Sequence, residues 1–239
     1  MNVLVVGAGS MGRWFAETID ADVAFADRDP SVADAAAADV GGRAVPLDTD
    51  ERFELVCLAV PMRVVADAIA THAPRATDAI VDVTGVMAAP VEAMREHAPE
   101  LERLSTHPLF ARGNAPGNVA IVPDSRGPVT DAVRESLAAA GNTAFETTVA
   151  EHDDAMSTVQ ARAHAAVLAY ALAAEEVREE FHTPLSAPLQ RLVEQVSGNT
   201  PRVYSEIQEQ FPGAADVADA ARRIAEADAA EFERLYEEL

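Results

Sequence analysis

A glycine-bearing turn near the N-terminus restricts the architecture more than any other stretch of this chain. Residues 2–6 read Asn-Val-Leu-Val-Val, a short apolar run of the kind buried on both faces of a parallel sheet. The run leads directly into Gly7-Ala8-Gly9-Ser10-Met11-Gly12, after which Trp14, Phe15, Thr18 and Ile19 follow at helical spacing. Strand, glycine turn and helix in that order open a βαβ unit. Gly7 allows the sharp turn, Gly9 lets backbone approach a pyrophosphate, and Gly12 lets the helix pack closely on the strand. The amides of residues 8–12, at the positive end of the helix dipole, suit phosphate groups.

Twenty positions after Gly7, a second apolar run (residues 23–26) ends at Asp27. A carboxylate there accepts hydrogen bonds from ribose hydroxyls and repels a 2′-phosphate, so the expected cofactor is NAD rather than NADP. Arg28 stands beside it and could stack on adenine or reach a phosphate.

Beyond this unit, strands are expected near residues 42–46, 54–60, 79–83, 104–106, 119–122 and 144–147, and helices near 31–40, 63–71, 89–97 and 129–140. Such alternation implies a Rossmann-type α/β domain built on a mostly parallel sheet. The pattern changes near residue 149. Long amphipathic stretches at 153–181, 184–196, 201–210 and 214–238 contain no convincing strand. We therefore expect a dinucleotide-binding domain over residues 1–148 and a small all-α domain over 149–239. The apolar stripes of that second domain, including Val167, Leu168, Leu172, Leu189, Leu192, Val193 and Val196, predict a homodimer formed through it.

The chain has 40 acidic and 18 basic residues, a net charge of −22, and no lysine at all. Such a surface repels nucleic acid and anionic membranes. Together with its richness in alanine and acidic residues, this resembles cytoplasmic proteins of extreme halophiles, in which salt screens the self-repulsion. The lone Cys57 excludes a disulfide within the chain, and no apolar run approaches the ~18 residues needed to cross a bilayer. With the first strand at the N-terminus itself, no leader and a cytoplasmic protein are expected.

Three histidine-bearing segments could carry chemistry. In Ser105-Thr106-His107-Pro108 a histidine directly follows a strand, at the sheet end where open α/β folds present ligands. A histidine near its ordinary pKa suits proton abstraction from a hydroxyl. Glu151-His152-Asp153 opens the helical region, where the acidic residues could cap a helix. Gln160 and His164 share one helical face. The histidines lie on separate elements without paired cysteines, so no metal site is expected.

The order of these features resembles the prephenate dehydrogenase family. Beyond the glycine turn, the matching segments are LAVP ending at Val60-Pro61, VDVTGVM at 81–87, THPLF at 106–110 and EHDDAMSTVQARAH at 151–164. The resemblance implies an NAD-dependent oxidative decarboxylation of prephenate to 4-hydroxyphenylpyruvate in tyrosine biosynthesis, or the same chemistry on arogenate. It makes His107 the base that takes the proton of the C4 hydroxyl, with Thr84 the nearby hydroxyl. It places His152, Asp153, Gln160 and His164 around the substrate. Gly7 to Gly12, Asp27, Arg28, Val60 and Pro61 would hold the cofactor. Gly85 and Met87 stand where the family carries serine and lysine, and the substrate-gripping arginine has no clear counterpart. Arg112 is the expected carboxylate partner, with Arg162 and Arg202 as alternatives. Two other readings keep the fold: a hydroxyacid or imine dehydrogenase, and a dinucleotide-binding member without this activity.

Overall fold

The computed structural model describes residues 1–198 and 200–238 and divides the chain into two compact units, Met1–Asp153 and Asp154–Leu239. In the first unit, strands β1 (Asn2–Val6), β2 (Asp22–Ala26), β3 (Arg43–Ala44), β4 (Phe53–Leu58), β5 (Ala76–Asp82), β6 (Glu102–Pro108), β7 (Asn118–Ser125) and β8 (Thr143–Glu146) form one sheet. Their spatial order is β3-β2-β1-β4-β5-β6-β7-β8. All neighbours are parallel except β6 and β7, which run antiparallel.

Helices α1 (Ser10–Thr18), α2 (Pro30–Val40), α3 (Val65–His72), α4 (Ala88–His97) and α5 (Pro128–Ala139) cover the sheet. Alternation along β1 shows how both faces are buried. Val3 and Val5 join Trp14, Phe15, Val133 and Leu137 in one core, while Leu4 and Val6 join Val65, Ile69 and Met94 in another. Continuous apolar strands are what two-sided burial requires. This is a Rossmann-type sheet, as the alternation of elements predicts.

Two glycines in the first turn are fixed by geometry. Gly7 has φ +94°, and a Cβ on it would lie 2.4 Å from the Ala59 carbonyl oxygen. A Cβ on Gly12 would lie 2.0 Å from the carbonyl oxygen of Gly7, so the helix can sit this close only without a side chain.

The helical region begins with α6 (Val149–Met156), runs through a π-helical turn (Ser157–Arg162) and continues as α7 (Ala163–Ala173). The division into units follows Asp153, because His152 and Asp153 bond to β6 and to the start of α4. Then come α8 (Ser186–Ser197), α9 (Pro201–Gln210), α10 (Ala214–Glu226) and α11 (Ala229–Glu237).

Two of the expected long helices are shorter. The stretch predicted as 153–181 leaves the α-helix at Ala173, where Glu175 and Glu176 would oppose the negative end of the helix dipole. The stretch predicted as 214–238 is two helices, because the Asp228 side chain caps α11 by accepting from the Glu231 amide at 2.9 Å. No helix among the described residues is long and apolar enough to cross a membrane.

Candidate active site

Parallel pairing from β2 through β6 puts the C-terminal ends of these strands on one edge of the sheet. Along that edge lie the glycine turn after β1, Asp27 after β2, residues 59–61 after β4, the turn 83–87 after β5, and the end of β6. Open α/β sheets bind ligands at this edge, where the strand order reverses next to β1.

At the glycine turn, α1 begins without a side-chain cap, and Gly9 and Ser10 are exposed. A Cβ built on Gly9 would meet no atom within 4 Å, unlike those on Gly7 and Gly12. No packing against the protein therefore demands glycine at position 9, and a closely approaching ligand does. Ala8 is buried, with its amide turned to Asp27, and Met11 packs partly buried against the core beside α1, so neither side chain faces a ligand. Asp27 Oδ2 accepts from the Ala8 amide at 2.9 Å and Oδ1 from the Asp29 amide at 3.0 Å. The carboxylate thus sits against the glycine turn, and Arg28 beside it is exposed. Val60 and Pro61, both half-buried, follow Ala59, whose carbonyl closes on Gly7. This set fits a dinucleotide: an uncapped helix start for phosphates, a glycine that opens space, and a carboxylate for ribose.

His107 departs from expectation. It lies inside β6, opposite Ala120 of β7, rather than in a loop after the strand, and it is only 6% exposed. Its Nδ1 lies 2.9 Å from Nε2 of His152. His152, 2% exposed, has its Nδ1 2.7 Å from Oδ1 of Asp153. The Asp153 carboxylate in turn accepts the amides of Met87 and Ala88, each at 3.2 Å, at the start of α4. Burial, aided by the neighbouring His152 and opposed by Asp153, pulls His107 down to about 3, so it is neutral at working pH. On its other side, Nε2 lies 3.6 Å from where a Gly85 side chain would begin, a position also 3.0 Å from Sδ of Met62.

Thr84 is buried, and its hydroxyl lies 2.6 Å from Asp82 Oδ1 and 3.1 Å from the Val86 carbonyl oxygen. Asp82 is wholly buried at the end of β5, and Oδ1 also accepts the Thr84 amide at 3.0 Å. Oδ2 lacks a well-formed hydrogen bond among the described residues, as does the hydroxyl of Ser105, its register neighbour on β6. Burial raises Asp82 to about 7, against the pull of Thr84 and Ser105. Asp82 went unread in the sequence. Its signal was a carboxylate closing an otherwise apolar strand.

Arg112 lies away from this group. Its guanidinium donates to Glu17 at 2.6 and 3.0 Å and to Asp39 at 3.0 Å, because the loop after β6 folds back against α1. Phe110 of that loop meets Trp14 edge to face at 5.4 Å. The expectation that Arg112 takes a substrate carboxylate is therefore corrected, since these carboxylates already engage its fork. The alternatives are also paired: Arg162 with Asp216 at 2.6 Å, and Arg202 with Glu206 at 3.6 Å. In the helical unit, Gln160 lies in the π-helical turn, and His164 meets Tyr204 edge to face at 4.9 Å. His164 Nδ1 is buried without a hydrogen bond among the described residues, and burial lowers its pKa. π-Helical turns occur often at functional sites.

Residues 16–120 match the family model described as prephenate dehydrogenase, nucleotide-binding domain. The chain is 33% identical over 234 residues to a 4-amino-4-deoxyprephenate dehydrogenase of Streptomyces pristinaespiralis, covering 89% of this chain and 78% of that one. Its fold is similar to prephenate dehydrogenase from A. aeolicus in complex with hydroxyphenyl propionate and NAD+ (TM-score 0.72, 16% identity, 99% of this chain and 95% of that chain). It is also similar to Synechocystis arogenate dehydrogenase (TM-score 0.68, 16% identity, 100% of this chain and 97% of that chain).

Proposed function

The chain belongs to the prephenate dehydrogenase family, and from that premise we propose that its dehydrogenase activity is the NAD-dependent oxidative decarboxylation of prephenate. The observation that carries the reading is His107, a neutral, buried imidazole on the ligand-binding edge of the sheet, with Nε2 facing the turn at Gly85. His107 is the base that removes the proton from the C4 hydroxyl. When bound, the oxidised nicotinamide supplies the acceptor for the hydride leaving C4. Glycine-turn amides hold the pyrophosphate, and Asp27 takes the ribose and disfavours a 2′-phosphate. The strands around His107 keep water from the base. Thr84 shapes the 83–87 turn through Asp82.

A second reading replaces the C4 hydroxyl with an amine. Two observations favour it: the relative from S. pristinaespiralis is a 4-amino-4-deoxyprephenate dehydrogenase, and Gly85 brings no hydroxyl to the position beside His107 Nε2. The helical unit pairs with a second copy of itself, supported by the exposure of Leu172, Phe181, Leu185 and Tyr236.

Steady-state formation of reduced nicotinamide tests these readings, with prephenate, arogenate and 4-amino-4-deoxyprephenate each offered with NAD and with NADP. Turnover of prephenate with NAD is expected. Preference for the amine selects the second reading, and no turnover of any of the three refutes both.

A further inference from the structure

His107, His152 and Asp153 form a hydrogen-bonded chain. Asp153 is an acceptor: its oxygens take the amides of Met87 and Ala88 and lie 2.7 Å from His152 Nδ1. The proton between His152 and Asp153 therefore belongs to Nδ1 of His152. With His152 taken as neutral before turnover, it carries one N–H, on Nδ1, and its Nε2 accepts. The group 2.9 Å from it is His107 Nδ1, which must donate. That leaves the lone pair of His107 on Nε2, the nitrogen facing the Gly85 position.

The geometry points to His152 and Asp153 as positioning residues that hold His107 in the Nε2-basic tautomer and receive its displaced proton during turnover. This rests on the reading of His107 as the base. The proton on the C4 heteroatom of the substrate passes to His107 Nε2, and the electron pair of the broken bond stays on the heteroatom. The hydride leaves C4 for the oxidised dinucleotide that the dehydrogenase reaction supplies. His107 Nδ1 releases its proton to His152 Nε2, so His107 ends neutral in the opposite tautomer. His152 ends as the imidazolium, in direct contact with the Asp153 carboxylate.

Two facts favour this resting place for the charge. The carboxylate touches His152 and lies a full ring further from His107, so the cation is better stabilised on His152. Burial also opposes a charge on His107. The assignment replaces the expectation that His152 and Asp153 contact substrate: His152 is buried with both ring nitrogens on protein partners.

The test uses the full chain. Long-range ¹H–¹⁵N spectra of the histidine rings, assigned with His107→Asn and His152→Gln, should show protons on Nδ1 of both residues and none on Nε2 of His107. A proton on Nε2 of His107 overturns the proposal, whatever the activity. Glutamine at position 152 can accept from His107 and donate to Asp153 but cannot store a proton; leucine can do neither.

With prephenate and with 4-amino-4-deoxyprephenate, His152→Leu should lower kcat by roughly 10²–10⁴-fold and His152→Gln by about 10-fold. KM and dinucleotide affinity should stay within about 3-fold in both, a split that a merely structural role does not produce. Wild-type kcat in both variants, with His107→Asn inactive, overturns the relay and leaves the base standing. Full activity in His107→Asn removes the base reading itself. If His152→Leu does not fold, the wild-type spectra and His152→Gln decide.

Discussion

Replacing Asp82 by asparagine should change how the stability of the sheet unit depends on pH. Asp82 is wholly buried, and burial raises it from 3.8 to about 7. Proton counting points the same way. The single hydrogen of the Thr84 hydroxyl cannot serve both Asp82 Oδ1 and the Val86 carbonyl, whereas a protonated Asp82 can donate to Thr84, which then donates to Val86. Between pH 3.8 and about 7 the folded state holds this proton and the unfolded state does not, so the bound-proton difference favours folding at the acidic end. Stability from this group is full below pH 3.8, declines as pH rises through that window and is lost above about 7. At about 1.36 kcal/mol per pKa unit, the whole span amounts to about 4 kcal/mol. An asparagine side chain cannot ionise and so lacks this loss. The stability of Asp82→Asn relative to wild type should therefore rise by about 4 kcal/mol from about pH 4 to about pH 8. Urea unfolding at fixed high salt, followed by the fluorescence of the one tryptophan, Trp14, reads the sheet unit specifically. Parallel pH profiles for the two proteins would refute a protonated Asp82.

Four further outcomes follow from the same geometry. Gly9→Ala should leave stability within ~0.5 kcal/mol of wild type, since its Cβ meets nothing in the protein, yet weaken dinucleotide binding on the order of 10-fold or more in a fluorescence titration; unchanged affinity would remove Gly9 from the site. Arg112→Ala should leave KM within about 2-fold and reduce stability by ~1 kcal/mol or less, as expected for pairs at the surface; a large rise in KM would restore it as a substrate ligand. Light scattering in high salt should give twice the chain mass for wild type and a monomer for Leu172→Glu, and a wild-type monomer at micromolar concentration contradicts the paired helical unit. The melting temperature should climb with salt, because the Debye length shrinks from ~30 Å at 0.01 M to ~3 Å at 1 M; a flat profile would show that the net charge of −22 does not limit stability.

Features written locally in the sequence were legible. The strand–glycine–helix order, Asp27 and the alternation of elements depend on residues within about twenty positions, and each has one dominant physical cause. What could not be read depended on long-range return of the chain. His107 looked like a loop residue because the strand reading stopped at Thr106, before the polar His107 and Pro108, yet β7 pairs with both in antiparallel register and buries them. Arg112 looked close to His107 because only five positions separate them, but its loop turns back onto α1. His152 and His107, 45 positions apart, come within hydrogen-bond distance through a tertiary contact that no periodicity encodes. The break at residue 228 was locally visible as an aspartate with helix-capping character inside an otherwise helical pattern, and the amphipathic stripe on either side concealed it.

Seating His107 in a strand, rather than on a loop, separates two kinds of change during divergence. The backbone of His107 is locked to Ala120 across the sheet, while the 83–87 turn that faces its ring belongs to a connection. Connections tolerate substitution that paired strands do not. A new side chain at Gly85, with Met62 giving way, can therefore reshape what lies against the imidazole while its position stays constant. A scaffold of this kind can exchange one acceptable substrate for another by single steps in a turn, each leaving the sheet, its register and the buried histidine pair undisturbed.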